Sequence, residues 1–195
     1  MTIKEQAWKR YITALRKVND LAADDMEAWL DANRDDPDSW DDIDREVIAY
    51  AYGLTTKYGS AAAELACEMY DSVARASKVN VPEAEPAELP SYSRMAAAMN
   101  GVMVYSVRSD VVAAEVGRHV KRAAADTVLK NAKRDGAETA WIPAGTETCQ
   151  FCLMLAANGW RPVPSGEHAE HIHAHCDCMY AVRFNKDTEY EGYSI

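Results

Sequence analysis

From Ile3 to Asn33 the apolar residues Trp8, Ile12, Leu15, Val18, Leu21 and Ala22, then Met26, Trp29 and Leu30, recur at helical steps. That spacing gathers them on one stripe of an amphipathic helix and leaves the polar residues on the other side. Arg34-Asp35-Asp36-Pro37-Asp38 ends the pattern. Asp38 or Ser39 is placed to cap a second helix beginning near Trp40, with Asp41, Asp42 and Asp44 facing the positive end of its dipole. Ile43, Val47, Ile48, Ala51 and Leu54 keep the same spacing. Tyr58-Gly59-Ser60 permits a break or kink before the strongly helix-forming stretch Ala61 to Ala76, whose small side chains allow close packing.

The eleven residues Asn80 to Pro90 hold three prolines and three glutamates. Proline excludes helix interior and central strand here, so residues 81–91 are expected to be an extended linker. Ser91 opens a further helical region in which Asn100-Gly101 is a weak point, and Ser109 caps a long helix ending at Gly136. Val112, Val116, Val120, Ala123, Thr127 and Val128 share one side of it. After Gly136 the character changes: Thr139 to Ile142 and Met179 to Phe184 are β-like, with proline and glycine between them. The expected fold is mainly α, a helical body with a small C-terminal α+β lobe. Its segments are 1–80 and 92–136, both helical, the linker 81–91 between them, and the lobe 137–195.

Charge sharpens this picture. Residues 1–90 carry nineteen acids and ten bases, 91–135 four and eight, and 136–195 eight and three, within a net charge of −10. An acidic chain is a poor general partner for nucleic acid, so only the long helix, residues 110–134, is a candidate for touching DNA. Its bases Arg118, Lys121, Arg122, Lys130, Lys133 and Arg134 are expected to be simply its solvated face. The N-terminus lacks a charge-flanked apolar run, and nowhere do eighteen apolar residues follow one another, which predicts a soluble protein made in a cytoplasm with no membrane partner.

Cysteine changes the picture most. Cys67 lies alone in the Ala-rich helix and reads as a small core residue, whereas Cys149, Cys152, Cys176 and Cys178 cluster with His168, His171, His173 and His175. Without a secretion signal such a cluster points to a metal before a disulfide framework. A Cys-x-x-Cys turn aims two thiolates at one tetrahedral centre, and a second pair completes zinc's four ligands. Cys149, Cys152 and Cys176 are the first choices, with either His173 or Cys178 as the fourth. A redox dithiol has no use for the added Cys-x-Cys and histidines. His168-Ala169-Glu170 contains parts of a zinc deaminase, but in reversed order relative to the Cys-x-x-Cys. The ligand set is full, so the zinc is expected to be structural, stapling a lobe too small to hold itself together. No catalytic triad, phosphate-binding glycine loop or paired acids are found, so no catalytic residue is assigned.

Read together, Trp141-Ile-Pro-Ala-Gly-Thr-Glu-Thr-Cys-Gln-Phe-Cys-Leu-Met-Leu-Ala-Ala-Asn-Gly-Trp160 and His173-Ala-His-Cys-Asp-Cys178 resemble the C-terminal module of MuF-like phage head morphogenesis proteins, especially actinobacteriophage members. Tyr58 to Ala66 and Met69 to Asp71 are similar to the helical N-terminal part of such minor capsid proteins. The resemblance implies a metal set drawn from Cys149, Cys152, His173, Cys176 and Cys178. It also implies a virion protein, located with the portal or inside the head and acting in assembly or DNA delivery. Its partners would then be portal and capsid proteins, with no small-molecule substrate and no enzymatic turnover. Some relatives carry a toxin or protease domain; with the short loop from Arg161 to Ile172, the bare structural form is the expectation here. The alternatives are a zinc-stabilised enzyme or toxin module acting on nucleic acid through the basic helix, or a zinc adaptor binding proteins through its acidic helices.

Overall fold

The computed structural model describes residues 2–144, 149–164, 169, 172–173 and 178–184. Among these the chain is mainly helical, with α1 (Ile3–Asn33), α2 (Asp44–Ala76), α3 (Tyr92–Tyr105), α4 (Ser109–Asp135) and the short α5 (Gln150–Ala156). The strands β1 (Glu138–Ile142), β2 (Arg161–Pro162) and β3 (Met179–Arg183) form an antiparallel sheet in the order β2-β1-β3. None of the described helices is long and apolar enough to cross a membrane.

α1 begins with a reciprocal cap: Glu5 N–H donates to Thr2 Oγ1 (3.2 Å) and Thr2 N–H to Glu5 Oε2 (2.7 Å). Its buried stripe runs from Trp8, Ile12 and Leu15 to Ala22, Met26 and Leu30, while Leu21 stays at the surface. α2 starts at Asp44, four residues later than the sequence suggests, and neither Asp38 nor Ser39 caps it. Arg34 is the reason. Its guanidinium donates to the carbonyls of Pro37, Ser39 (3.1 Å) and Val107 (2.6 Å) and lies 3.6 Å from the centre of the Trp40 ring. Ser39 thereby spends its carbonyl on Arg34, and the Trp40 indole N–H donates to Ser106 O (2.8 Å). Residues 37–43 thus become a turn that ties the α1–α2 corner to the α3–α4 corner.

α2 runs through Gly59 without a break. A Cβ there would stand 3.1 Å from Leu89 Cδ2 and 3.5 Å from Ala123 Cβ, so this glycine serves close packing and makes no kink. The sequence also suggests that the small faces at Ala61–Ala66 and Ala96–Ala98 meet outside partners. Ala62, Ala63 and Ala66 are instead buried within the body, and only the α3 face, with Ala97, reaches the surface. α3 likewise runs through Asn100-Gly101, with Ser91 as its cap and Met95, Met99 and Met103 buried on successive turns.

α4 departs from expectation in part: Lys130, Lys133 and Arg134 are exposed, but Arg118, Lys121 and Arg122 are not, and most of these bases have partners within the fold. Lys121 is only 3% exposed, Arg118 pairs with Glu115 (2.8 Å), and Arg122 pairs with Asp126 (3.2 Å). Lys130 donates to Glu85 Oε2 (3.1 Å) and Pro86 O (2.9 Å), and Arg134 to Pro82 O (2.9 Å) and Glu83 O (3.0 Å). α4 has neighbours on nearly every side: α1 and α2, the segment 82–90, and β3. The extended segment 82–87 is strapped along it. Gly136, with φ +67°, ends α4 in the left-handed conformation that glycine adopts without strain, and β1 follows directly.

β3 is buried from Met179 to Val182, and one continuous apolar core takes in both the helices and the sheet. Trp141 meets Tyr180 edge to face at 4.9 Å, and Arg183 pairs with Glu138 across the β1–β3 register (2.8 Å). Tyr70 of α2 is fully buried. Its hydroxyl donates to Asp135 Oδ2 (2.9 Å), and its ring lies edge-on to Phe184 at 5.2 Å.

This junction makes a pH prediction. The Arg134 guanidinium, followed by the Tyr70 hydroxyl, holds the Asp135 carboxyl below the ordinary carboxylate range. A depressed folded pKa adds stability that is fully present above the unfolded value, about 4, and is lost as pH falls through the folded value. Melting temperature should therefore fall on acidification below about pH 4, and Asp135→Asn should lower it at neutral pH while flattening that acid limb. Parallel acid limbs in both proteins would refute the assignment.

Candidate metal centre

The Cys-x-x-Cys motif forms the head of α5. Cys149 is its cap, extended at φ −70° and ψ 155°, and its Sγ accepts the Cys152 backbone N–H at 3.4 Å. That bond fixes Cys149 Sγ over the first turn of α5, where the donor atoms of Cys149 and Cys152 lie within 4.8 Å of each other. Cys152 lies in the first turn and is fully buried, whereas Cys149 is exposed. The helix stops after seven residues, and Gly159 at φ +59° turns the chain into β2.

His173 arrives from the other side of the lobe. Ile172 before it is sunk in the core at 2% exposure, and Ala169 is fixed to α4 by its N–H on Asp126 Oδ1 (2.8 Å). The backbone is thus anchored while the imidazole stays at the surface, 3.5 Å from Cys149 Sγ through Nδ1 and beside the Phe151 ring at 5.4 Å. The donor atoms of Cys149, Cys152 and His173 all lie within 4.8 Å of one another. In a tetrahedral zinc site with ordinary Zn–S and Zn–N bonds, the sulfur–nitrogen edge is about 3.5 Å. Two sulfurs and an imidazole nitrogen are also the donor chemistry that selects zinc over a hard cation. The residues present therefore fit the metal.

Of the other expected ligands, Cys178 stands at the head of β3 at 1% exposure and forms no disulfide. Cys176, with His168, His171 and His175, lies outside the described residues. Cys67 is buried in α2, and burial pushes its thiol up to about 11, so it packs as a neutral core side chain.

Two features of the site's surroundings are not signalled by the motif. One is the short strand β2, which carries no β-propensity of its own and forms because Thr139 pairs with Arg161. The other is the strap's hydrogen bonding to Thr127 and Asn131, polar residues on what reads as an apolar helix face. A polar residue in a buried stripe was the available signal.

No curated protein and no solved structure matches the chain. The sequence pattern of the VG15 protein family matches it from residue 2 to residue 195, taking in the helices, the strap, and the Cys149, Cys152 and His173 cluster. With essentially the whole length matched, the chain belongs to the VG15 protein family, a family of phage proteins.

Proposed function

We propose that this protein is a structural minor capsid or head morphogenesis protein of the MuF-like kind, working with the portal in head assembly or DNA delivery. The observation that carries the proposal is the cluster of Cys149, Cys152 and His173 at the head of α5, in a chain of phage family. Zinc bound there, completed by Cys176 or Cys178, would supply a cross-link between the α5 loop, the 172–173 segment and the approach to β3. It would hold the lobe's shape without activating a water.

Two exposed apolar patches support work by association and not by turnover. Val104, Tyr105 and Val107 stand at the α3–α4 corner, Tyr105 at 91% exposure, and Leu153 and Met154 stand outward on α5. Large apolar side chains exposed close together in the chain are candidates for protein contacts. Mass spectrometry of gradient-purified particles from an induced lysogen or phage stock should find the protein in proheads or finished heads. Recovery solely from the soluble cell fraction would favour the nucleic-acid-acting enzyme or toxin instead.

A further inference from the structure

A cavity of about 610 Å³ lies between residues 87–91, the first turn of α3, the outer side of α4 and Val163 after β2. Among the described residues its wall carries four cations, Arg94, Arg122, Lys130 and Lys133, against the two carboxylates of Glu88 and Asp126. The excess of positive charge is notable in a chain whose acids outnumber its bases by 31 to 21. From these features we infer that the cavity is a binding site for a phosphate-bearing anion.

The arrangement of the charges favours an outside ligand. Asp126 is committed within the protein, accepting from Ala169 N–H (2.8 Å) on Oδ1 and from Arg122 Nε (3.2 Å) on Oδ2. It therefore orients the Arg122 guanidinium, whose side chain is 13% exposed, and cannot also serve the lysines. Lys130 is braced by Pro86 O (2.9 Å) and paired with Glu85 Oε2 (3.1 Å), so its ammonium is held at the rim with part of its charge already balanced. Lys133, one helical turn further along, is exposed and has no ion pair among the described residues. His119 also lines the wall, but its side chain is 3% exposed and Nε2 lies 3.2 Å from Glu115 Oε1, so it is engaged within α4.

Phosphate fits this wall better than a carboxylate. It offers more charge per group and several acceptor oxygens, matching a guanidinium fork beside two ammonium groups. Leu89, Pro90, Leu129 and Val163 supply the apolar remainder, and among the described lining residues there is no Phe, Tyr or Trp on which a base could stack. The recognised chemistry is therefore the phosphate itself, carried by a nucleic-acid strand or by a free polyphosphate. The inference stands independently of the capsid proposal.

The test uses the full chain, a fluorescein-labelled eight-nucleotide thymidine strand followed by anisotropy, and inorganic tripolyphosphate as competitor. Tripolyphosphate should bind and displace any bound strand. Lys133→Glu and Arg94→Glu, both at exposed positions, should each weaken tripolyphosphate binding about tenfold and lower its salt dependence by about one unit of slope. The melting temperature should stay in place, and Lys17→Glu on α1 should change nothing. Tight binding of both probes identifies the strand backbone as source, and tripolyphosphate alone identifies a free phosphate compound; either supports the site. The inference is overturned if neither probe binds at millimolar concentration, if the cavity variants bind like Lys17→Glu, or if a polyglutamate peptide displaces tripolyphosphate equally well.

Discussion

Protein purified without added metal is expected to carry about one zinc per chain, and Cys149→Ser, Cys152→Ser and His173→Ala are each expected to lose it. The first two should do so completely, because each removes a thiolate from the Cys-x-x-Cys hinge on which the centre is built. Structural zinc in small modules contributes on the order of 10 kcal/mol of binding energy, and that energy is folding energy. Only part is recovered here as stability, since β3 already lies in the core that it shares with α2 and α4. A loss of at least about 3 kcal/mol, or roughly 6–12 °C in melting temperature for a chain of this size, is the expected effect.

That shared core also changes how the loss should appear. Chain order separates a helical body from a zinc lobe, which suggests that breaking the metal site would melt residues after Gly136 and spare the rest. In the fold, Tyr70 of α2 meets both Asp135 and Phe184, and Met179 to Val182 are buried. Removing the lobe would strip apolar surface from the helices, so chelation should lower one cooperative transition of the whole chain. A chelator that leaves helical melting untouched, an iron–sulfur absorption band, or a Cys149–Cys152 disulfide in metal-free protein would each sink this account. Comparing Cys176→Ser with Cys178→Ser by zinc content would then decide which of them completes the ligand set.

Much of this fold is legible because periodicity reports burial directly. The stripe from Trp8 to Leu30 places α1 almost to the residue, and Gly136 marks the end of α4 because only a left-handed residue is wanted there. Cys149 and Cys152 were legible for a related reason: their bond geometry is local, fixed by one turn and its N–H···S bond. What is not legible is decided by distant partners. The start of α2 depends on Arg34 reaching Val107 and on Trp40 reaching Ser106, contacts that no local pattern encodes. The bases of α4 look solvated because charge usually is, yet their partners are backbone carbonyls of the strap and acids on the same helix. His173 falls between these cases: its place before Cys176 and the resemblance to MuF-like modules single it out among four histidines, and the fold then sets it 3.5 Å from Cys149 Sγ.

The strap makes the second large prediction. Residues 82–87 are extended but have no neighbouring strand among the described residues, so their backbone groups need other partners. α4 and α2 provide them with side chains. Asn131 Oδ1 accepts Glu85 N–H (3.0 Å) while its Nδ2 donates to Glu85 O (2.9 Å), the two bonds that a β-neighbour would make. Thr127 Oγ1 accepts Ala87 N–H (3.0 Å), and Asp71 Oδ1 accepts Ala84 N–H (2.9 Å). Asn131 is fully buried and Glu85 exposed, so Asn131→Ala removes both hydrogen-bond partners of the Glu85 backbone at a part-buried site. At about 1–1.5 kcal/mol for each hydrogen bond lost, the expected loss is roughly 2–3 kcal/mol. Thr127→Val should cost less, about 1–2 kcal/mol, because only one backbone donor is orphaned. Lys130→Ala, which removes a largely solvated side chain from the same strap, should cost under about 1 kcal/mol. Hydrogen exchange gives the local readout: the Glu85 and Ala87 amides should be protected in the native protein and exchange about a hundredfold faster in Asn131→Ala, while amides in the middle of α1 change only by the global loss. Equal exchange at Glu85 in both proteins would mean that the strap is held by its prolines and by Leu89 packing on Gly59 and not by α4, and the order Asn131, Thr127, Lys130 would then fail as well.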